Sequence, residues 1–498
     1  MKSTRPILNV ARASSIKPSP FTWVHPGEGI EARATEVTDQ RLKGKRIAIK
    51  DNFMLRGTRT TCSSRMLQEF ESPYTATSVK SLLSSAASIT GKTQMDEFGM
   101  GSMTNNLPPG SPPVHNPWIP GSAVEGRDEV QARSAGGSSG GSAAAVKSGQ
   151  AWAALGTDTG GSVRLPASYC GLVGLKPSHG MISRHGVVSY ADTLDCVGIL
   201  ASEVDDARLL FDVMSHPDPM DPSCAAAEVR HRAEGVEYEA RQSMKGLRDG
   251  RLDGVRIGIP IETCLEKDLT PLDLAPFIRH LRSLGATIVP ISIPSIRLAL
   301  PAYYVLACAE ASSNLARFGG GWYGGQKSDL EEPEGSVDRR QWTRRWGFGP
   351  EVKKRILAGT YALTAGAFNN SYLKALQLRQ RLRSDLDAIF RSSQPQDLDD
   401  VTDAPSRGVD VYMHLTAIQT APILDSTSST SQDARGYAQD LLTVPASLGG
   451  LPCISLPIGL GADGWPVGAS LTGQWGSESV LMDIAKIGMA SYISPSVE

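Results

Sequence analysis

Two clusters of glycine and serine, and one lysine, hold the chemistry this chain could do. The first cluster runs Gly136-Gly-Ser-Ser-Gly-Gly-Ser142, the second Gly156-Thr-Asp-Thr-Gly-Gly-Ser162-Val-Arg-Leu-Pro166. Glycines beside serines permit tight turns that expose a hydroxyl and aim backbone N–H groups at one point. An acyl-transfer site is made of those parts, a nucleophile next to donors for an oxyanion. A flexible linker is the competing reading of the first cluster. Apolar residues resume at Ala143, which a linker would not need.

A serine nucleophile needs a base. His179 and His185 follow the clusters, but nothing in the pattern sets either beside Ser162, and no Gly-x-Ser-x-Gly surrounds that serine. Lysine is the alternative. It must be neutral to accept a proton, so its pKa must fall from about 10.4 through burial or nearby positive charge. Lys50 closes the apolar run Arg46-Ile-Ala-Ile-Lys50 and leads into Asp51-Asn52, a turn signature. On position alone, a surface lysine at a strand end is the stronger reading.

The elements that would position these residues follow a strand–helix rhythm. Arg46 to Lys50 reads as a strand, Ser78 to Ile89 as a helix, and Ile89 to Lys92 as the start of the next step. Met95 to Gly101 reads as a loop, and Gly140 to Ser148 as a helix with small residues packed closely. Strands are expected at Val255–Pro260, Ala286–Ile291, Val409–Leu415 and Pro452–Pro457, and a helix at Leu274–Leu284. Glu351 to Phe390 carries long helical periodicity broken near Gly366, and Tyr437 to Leu448 reads as a short helix holding Asp440. The rhythm implies parallel strands covered by helices. Surface excursions are expected near 117–133, 218–252 and 319–346. No fixed-period repeat occurs.

Bulk properties narrow the classes. The chain has 498 residues, enough for one large α/β enzyme or several domains, and a net charge of −2. That balance gives no general electrostatic case for binding nucleic acid directly. Seven scattered cysteines without C-x-x-C point to a reducing compartment, with no disulfide framework and no zinc site. No metal spacing is recognised among the eight histidines, and no apolar run reaches transmembrane length. Before Glu28 the chain carries Lys2, Arg5, Arg12 and Lys17 with several serines and no acid. Residues 1–40 therefore read as an N-terminal extension, targeting or disordered.

Three motifs in order, Ile49-Lys50-Asp51-Asn52, Gly136-Gly-Ser138-Ser-Gly-Gly141 and Gly156-Thr-Asp-Thr-Gly-Gly-Ser162, resemble the amidase signature family. The resemblance runs from Gly44 to near Ile487, so 41–490 is expected to form the catalytic domain. It implies an α/β fold with a mixed central β-sheet sandwiched between α-helices. It also implies a Ser-cisSer-Lys triad. Ser162 would be the acylated nucleophile, Ser138 the bridge following a cis peptide after Gly137, and Lys50 the base. Backbone N–H groups of Thr159, Gly160, Gly161 and Ser162 would form the oxyanion hole. Asp158 and Arg164 would be a buried polar pair shaping that loop.

Further stretches resemble the A-subunit branch of the glutamyl-tRNA(Gln) amidotransferases. They are Ala302-Tyr303-Tyr304-Val-Leu-Ala307, Glu310 to Arg317, Gly347 to Thr360, Tyr437 to Pro445 and Gly450 to Pro457. In that branch Arg355 matches the position that pairs with the α-carboxylate of glutamine, and Asp440 the one that pairs with the α-ammonium. Tyr303 matches a residue lining the amide end, and Met100 joins the substrate-binding set. Outside the resemblance, Arg355 and Asp440 read as ordinary helix-surface charges. The stretch 121–132 is longer than the family pattern, and Leu415-Thr-Ala-Ile-Gln-Thr-Ala-Pro422 replaces a Pro-Thr-Ala-Pro stretch. Both variations resemble the fungal mitochondrial type, and few residues precede the lysine strand.

The resemblance implies a glutaminase that supplies ammonia to a partner B subunit, where ATP and Mg serve the amidation of Glu-tRNA(Gln). A small third subunit, C or a fungal replacement, would complete the complex in the mitochondrion. No cofactor or metal is expected in this chain, and no membrane. Two rivals stand beside it: a stand-alone amidase, and a catalytically silent scaffold. A phosphate-binding loop fails because no Gly-Lys-[Ser/Thr] follows either cluster.

Overall fold

Alternate residues of three central strands divide between two separate apolar clusters, which is how a sheet covered on both faces is built. Ile47 and Ile49, Ala153 and Leu155, and Ile199 and Ala201 join one cluster, while Ala48, Ala154 and Leu200 join the other. The structure, a computed structural model, describes residues 19–492 except 28, 34, 121–130, 266–271, 320–323, 325–338, 393–407 and 425–433.

The strands are β1 (Phe21–Val24), β2 (Arg46–Lys50), β3 (Ser88–Thr93), β4 (Ala153–Asp158), β5 (Val173–Lys176), β6 (Cys196–Ala201), β7 (Arg256–Pro260), β8 (Thr287–Ile291), β9 (Val411–Leu415), β10 (Cys453–Leu460) and β11 (Pro466–Gly473). They form one sheet in the order β1-β3-β2-β4-β6-β5-β10-β11-β9-β7-β8. The helices before the site's far side are α1 (Thr77–Ser84), α2 (Gly140–Lys147), α3 (Arg164–Cys170), α4 (Val204–Met214), α5 (Ala227–Ser243) and α6 (Ala275–Ser283). Those that follow are α7 (Ala299–Asn314), α8 (Arg339–Gly347), α9 (Pro350–Ala362), α10 (Tyr372–Asp387), α11 (Ala434–Ala438), α12 (Val444–Gly449) and α13 (Glu478–Ala490).

The α/β class with a mixed sheet between helices is the observed architecture. The small residues Ala143 to Val146 of α2, and Ala167 and Cys170 of α3, fill one face. Larger residues of α1, α4 and α13, among them Leu82, Leu210 and Leu481, fill the other. The strand–helix rhythm holds only towards the two ends of the sheet. There β2 pairs in parallel with β3 and β4, and β7 with β8 and β9. The middle, from β4 through β6, β5, β10 and β11 to β9, is antiparallel throughout.

Several local readings need correction. The helix expected over 78–89 stops at Ser84, because Ser88 and Ile89 already pair with β2. Met95 to Gly101 includes one 3-10 turn, Glu97–Gly99. The single helix expected over 437–448 is two, α11 and α12, and Asp440 lies in the turn between them. Pro445 opens α12 in its first turn, where proline is favoured, and the Asp440 carbonyl accepts from Thr443 and Val444 N–H at 3.1 Å each. Residues 121–130 of the first excursion lie outside the described residues, but its flank is anchored: buried Asn116 donates 2.8 Å to the Tyr169 carbonyl. The second excursion is built around α5. Its buried Arg230 donates to the Gly180 and Met181 carbonyls, and Arg241 pairs with Asp483 of α13. Most of 319–346 lies outside the described residues, and α8 closes it. No strand is expected at β5, β6 or β11, and β1 brings Phe21–Val24, inside the 1–40 stretch expected to be an extension, into the sheet beside β3.

Candidate active site

Lys50 ends β2, and the neighbouring parallel strand β4 ends at Asp158, so the C-terminal ends of two adjacent strands meet at the site. The second Gly/Ser cluster turns from β4 into α3, and the first opens α2 at its N-terminus. Both serines therefore sit where a strand or loop enters a helix.

Lys50 is fully buried. Its Nζ lies 2.8 Å from Ser138 Oγ, 2.9 Å from Thr157 Oγ1 and 3.4 Å from the Thr157 carbonyl. Asn52 Nδ2 donates to the same Thr157 hydroxyl at 3.1 Å. Burial lowers the Lys50 pKa to about 7, with Asp96, Asp195 and Asp158 pulling the other way. The sequence left a surface lysine as the stronger reading on position alone, and the structure places it inside.

The Gly137–Ser138 peptide is cis. Ser138 is buried, Ser162 half-buried, and the Ser139 N–H donates 3.2 Å to the Ser162 carbonyl, which lays the two serine segments side by side. Asp96 supports this turn from below. Its carboxylate accepts from the N–H groups of Thr104, Asn105 and Asn106 at 2.9–3.0 Å, and a Cβ on Gly137 would strike it.

The turn before Ser162 is held from three sides. Asp158 and Arg164 are both fully buried and meet in two parallel bonds of 2.8 and 3.0 Å. Arg164 also donates to the Thr443 carbonyl and to Ser447 Oγ, at 2.8 and 2.9 Å. Burial pushes the Asp158 carboxyl up, but the Arg164 charge and hydrogen bonds outweigh it and leave the pKa below its usual value. Val163 and Arg164 N–H point at Asp158. By contrast, the N–H groups of Gly160, Gly161 and Ser162 donate to no group among the described residues. Thr159 donates 2.6 Å to Asp195, whose other oxygen accepts from Tyr190 and Ala191 N–H. Both glycines of the turn are required by close approach. A Cβ on Gly160 would sit 2.4 Å from the Tyr303 ring, and one on Gly161, where φ is +146°, would meet Thr443.

A second group of charges stands beyond Tyr303. Arg355, on α9, is 3 % exposed. It donates 2.8 Å to Glu351 and 2.9 Å to Tyr190 Oη, and its guanidinium lies 5.3 Å from the Tyr304 ring centre. Asp440 is buried, and Ser102 and Tyr304 hydroxyls donate to it at 3.1 and 2.6 Å. Burial raises its pKa to about 6. One tyrosine, Tyr304, thus touches both charged groups, and its neighbour Tyr303 touches the Ser162 turn. Met100 is fully buried beside this group of loops, its carbonyl accepting from Asn106.

The structure brings Lys50 and Ser138 into direct contact, Ser162 beside them through its backbone, and Tyr303 onto Gly160. Sequence reasoning missed Thr157, Asn52, Asp96, Ser102, Tyr190 and Tyr304 as partners. Asn52, Thr157 and Tyr304 stood inside the motifs already singled out, but nothing in a linear pattern shows which side chains face each other. Two cavities of about 600 and 630 Å³ among the described residues are lined by none of Lys50, Ser138, Ser162, Arg355 or Asp440. Among the described residues no cluster of His, Cys, Asp and Glu could hold a metal, and no helix is long and apolar enough to cross a membrane.

A family model described as Amidase matches residues 27–482. The chain belongs to the amidase family. Within it, the chain is 44% identical over 459 residues to a protein from Mycosarcoma maydis named as the mitochondrial A subunit of glutamyl-tRNA(Gln) amidotransferase, covering 90% of this chain and 84% of that one. A bacterial relative named as the same A subunit, from Synechococcus sp. (strain CC9902), is 40% identical over 91% of this chain and 84% of its own. The crystal structure of the A subunit of glutamyl-tRNA(Gln) amidotransferase from Thermotoga maritima superposes with a TM-score of 0.69 at 29% identity, covering 96% of this chain and 90% of that one.

Proposed function

We propose that this chain is the glutamine-hydrolysing A subunit of a glutamyl-tRNA(Gln) amidotransferase of mitochondrial type. The observation that carries the reading is the pairing of Arg355 and Asp440 around Tyr304, next to the lysine–serine group. A buried guanidinium near the ring of one tyrosine and a buried carboxylate at its hydroxyl suit a zwitterionic amino acid, α-carboxylate to Arg355 and α-ammonium to Asp440. A generic amide would need neither charge. The A-subunit names of the relatives support the same choice.

In the proposed mechanism Ser162 Oγ attacks the side-chain amide carbon of glutamine. Its proton passes to Ser138, and the Ser138 proton passes to neutral Lys50. The N–H groups of Thr159, Gly160, Gly161 and Ser162 stabilise the oxyanion. Collapse breaks the C–N bond, and the proton held by Lys50 returns through Ser138 to the leaving nitrogen, releasing ammonia. Water then attacks the γ-glutamyl ester by the same relay, and glutamate leaves with the resting serine restored. Asp158 and Arg164 hold the turn, and Tyr303 and Met100 line the pocket.

All of this chemistry uses side chains and backbone of this chain, without a cofactor. Ammonia passes to a partner B subunit, which amidates Glu-tRNA(Gln) with ATP and Mg at its own site. A small third subunit, C or a replacement, completes the assembly, and the segment targeting the chain to the mitochondrion is the part of residues 1–40 that precedes β1, since Phe21–Val24 already pairs with β3 in the sheet of the catalytic domain. The Mycosarcoma relative is named as mitochondrial, which supports that location. The test is to assay the assembled complex with glutamine and, separately, with ammonium as nitrogen donor. A Ser162→Ala chain keeps the ammonium-dependent reaction and loses the glutamine-dependent one. Loss of both alike favours a scaffold, and retention of both removes Ser162 from the reaction.

A further inference from the structure

Around Lys50 Nζ stand three acceptors, and two belong to one residue. Thr157 offers its hydroxyl at 2.9 Å and its carbonyl at 3.4 Å, and Ser138 Oγ lies at 2.8 Å. An ammonium has three hydrogens, and these three oxygens take them all. A neutral amine has two hydrogens and one lone pair. If both hydrogens stay on Thr157, the lone pair faces the Ser138 hydroxyl, the only direction in which a proton could then be exchanged. Thr157 Oγ1 could defeat this by turning its own hydrogen onto the lysine lone pair. Asn52 limits the orientations open to that hydroxyl: its amide nitrogen donates to Oγ1 at 3.1 Å and fills one of the two lone pairs, which leaves the other for a lysine hydrogen. All four side chains are buried, Thr157 at 6 % and Asn52 at 4 % exposure.

We propose that Thr157, braced by Asn52, is a positioning residue that holds two of the three directions at Lys50 Nζ and leaves the Ser138 direction as the sole path of proton exchange. The inference rests on the triad reading of Lys50, Ser138 and Ser162, not on the identity of the substrate. The carbonyl contribution is fixed by the β4 backbone, so the side-chain hydroxyl is the part a substitution can remove. The other ionisable groups that act on Lys50 are Asp96 after β3, Asp158 at the end of β4, Asp195 before β6 and the Cys62 thiol, and none is altered in the test.

The test uses the full-length chain and a small neutral acylating ester, read as labelling of Ser162 by mass spectrometry across pH. Glutamine recognition is thereby bypassed. Lys50→Ala serves as the reference, and if it labels normally the triad reading itself fails. With that reference silent, Thr157→Val is expected to label about tenfold to a hundredfold more slowly, the range that loss of an oriented base produces. Its acid limb also moves to lower pH, because the ammonium form has lost one acceptor. Thr157→Ser, which keeps the hydroxyl, restores most of the rate. Asn52→Leu moves the limb in the same direction by less, because the freed Thr157 hydroxyl can then donate to the neutral amine, and it decides the matter if Thr157→Val does not fold. An unmoved acid limb in the valine and leucine variants overturns the proposal, as does a loss that Thr157→Ser fails to restore.

Discussion

Two neighbouring regions of this molecule handle charge in opposite ways. At the lysine end the immediate partners of Nζ are neutral oxygens, and burial brings the pKa down to about 7. At the recognition end burial also raises the Asp440 pKa, to about 6, yet at neutral pH both charges are kept. Arg355 lies against Glu351, Tyr190 and the Tyr304 ring, and Asp440 receives two hydroxyls. A base must lose its charge before it can work, whereas a clamp for a zwitterion must keep both of its charges. The tandem Tyr303–Tyr304 on α7 stands between the two regions and touches both.

The largest effect expected from breaking the comparison falls on the chemical end. Ser162→Ala is expected to lower glutamine-dependent turnover by about three orders of magnitude or more, with substrate binding little changed. Steady-state kinetics beside equilibrium glutamine binding separate the two. Lys50→Arg is expected to be nearly as damaging as Lys50→Ala, since a guanidinium stays charged at any working pH. Turnover of the two variants across pH checks this, and a fully active arginine variant removes lysine from the mechanism.

The support beneath the serine turn comes next. Arg164→Leu leaves the Asp158 carboxylate buried without its partner, a change that typically costs about 3–5 kcal/mol. Urea unfolding measures it, and a loss of stability below about 1 kcal/mol would mean that the pair does not organise the turn.

At the recognition end, Asp440→Asn is expected to cost about 2–5 kcal/mol in glutamine affinity, with a much smaller effect on labelling of Ser162 by a neutral ester. The smallest effect sharpens the contrast. Lys50 must be neutral, so turnover falls as pH drops through about 7. Asp440 must be ionised, so binding weakens as pH drops through about 6. The pH dependence of glutamine binding should therefore show the lower limb alone, and Asp440→Asn should abolish that limb while the turnover limb stays.

The difference between the regions also decides what could be read from the chain. The chemical end is made of contiguous turns, Lys50 to Asn52, Gly136 to Ser142 and Gly156 to Ser162, so its residue types announce themselves. Burial of Lys50 did not, because a lysine at a strand end is usually solvated and only the strands laid on both sides of β2 enclose it. The recognition end gathers Ser102, Tyr190, Tyr304, Arg355 and Asp440 from five separate parts of the chain. Without a family resemblance, Arg355 is one basic residue on a basic helix. Asp440 was expected within a helix, yet Pro445 and the Thr443 bond to the Gly160 carbonyl make a turn there, and the turn aims its carboxylate inward. The antiparallel middle of the sheet was hidden for a similar reason. Strand patterns show burial, not direction, and most of the strands that reverse are joined through helices and long loops; only β10 and β11 follow one another through a tight turn, at 461–465.

The central claim is that Ser162, served by Lys50, is acylated by glutamine. Intact-mass measurement and peptide mapping after incubation with a glutamine-mimicking electrophile, using the full-length chain with its partners, tests it most directly. One adduct on Ser162, absent from Ser162→Ala and competed by glutamine, is the predicted result. An adduct on another residue, or one that glutamine does not compete, would contradict the account.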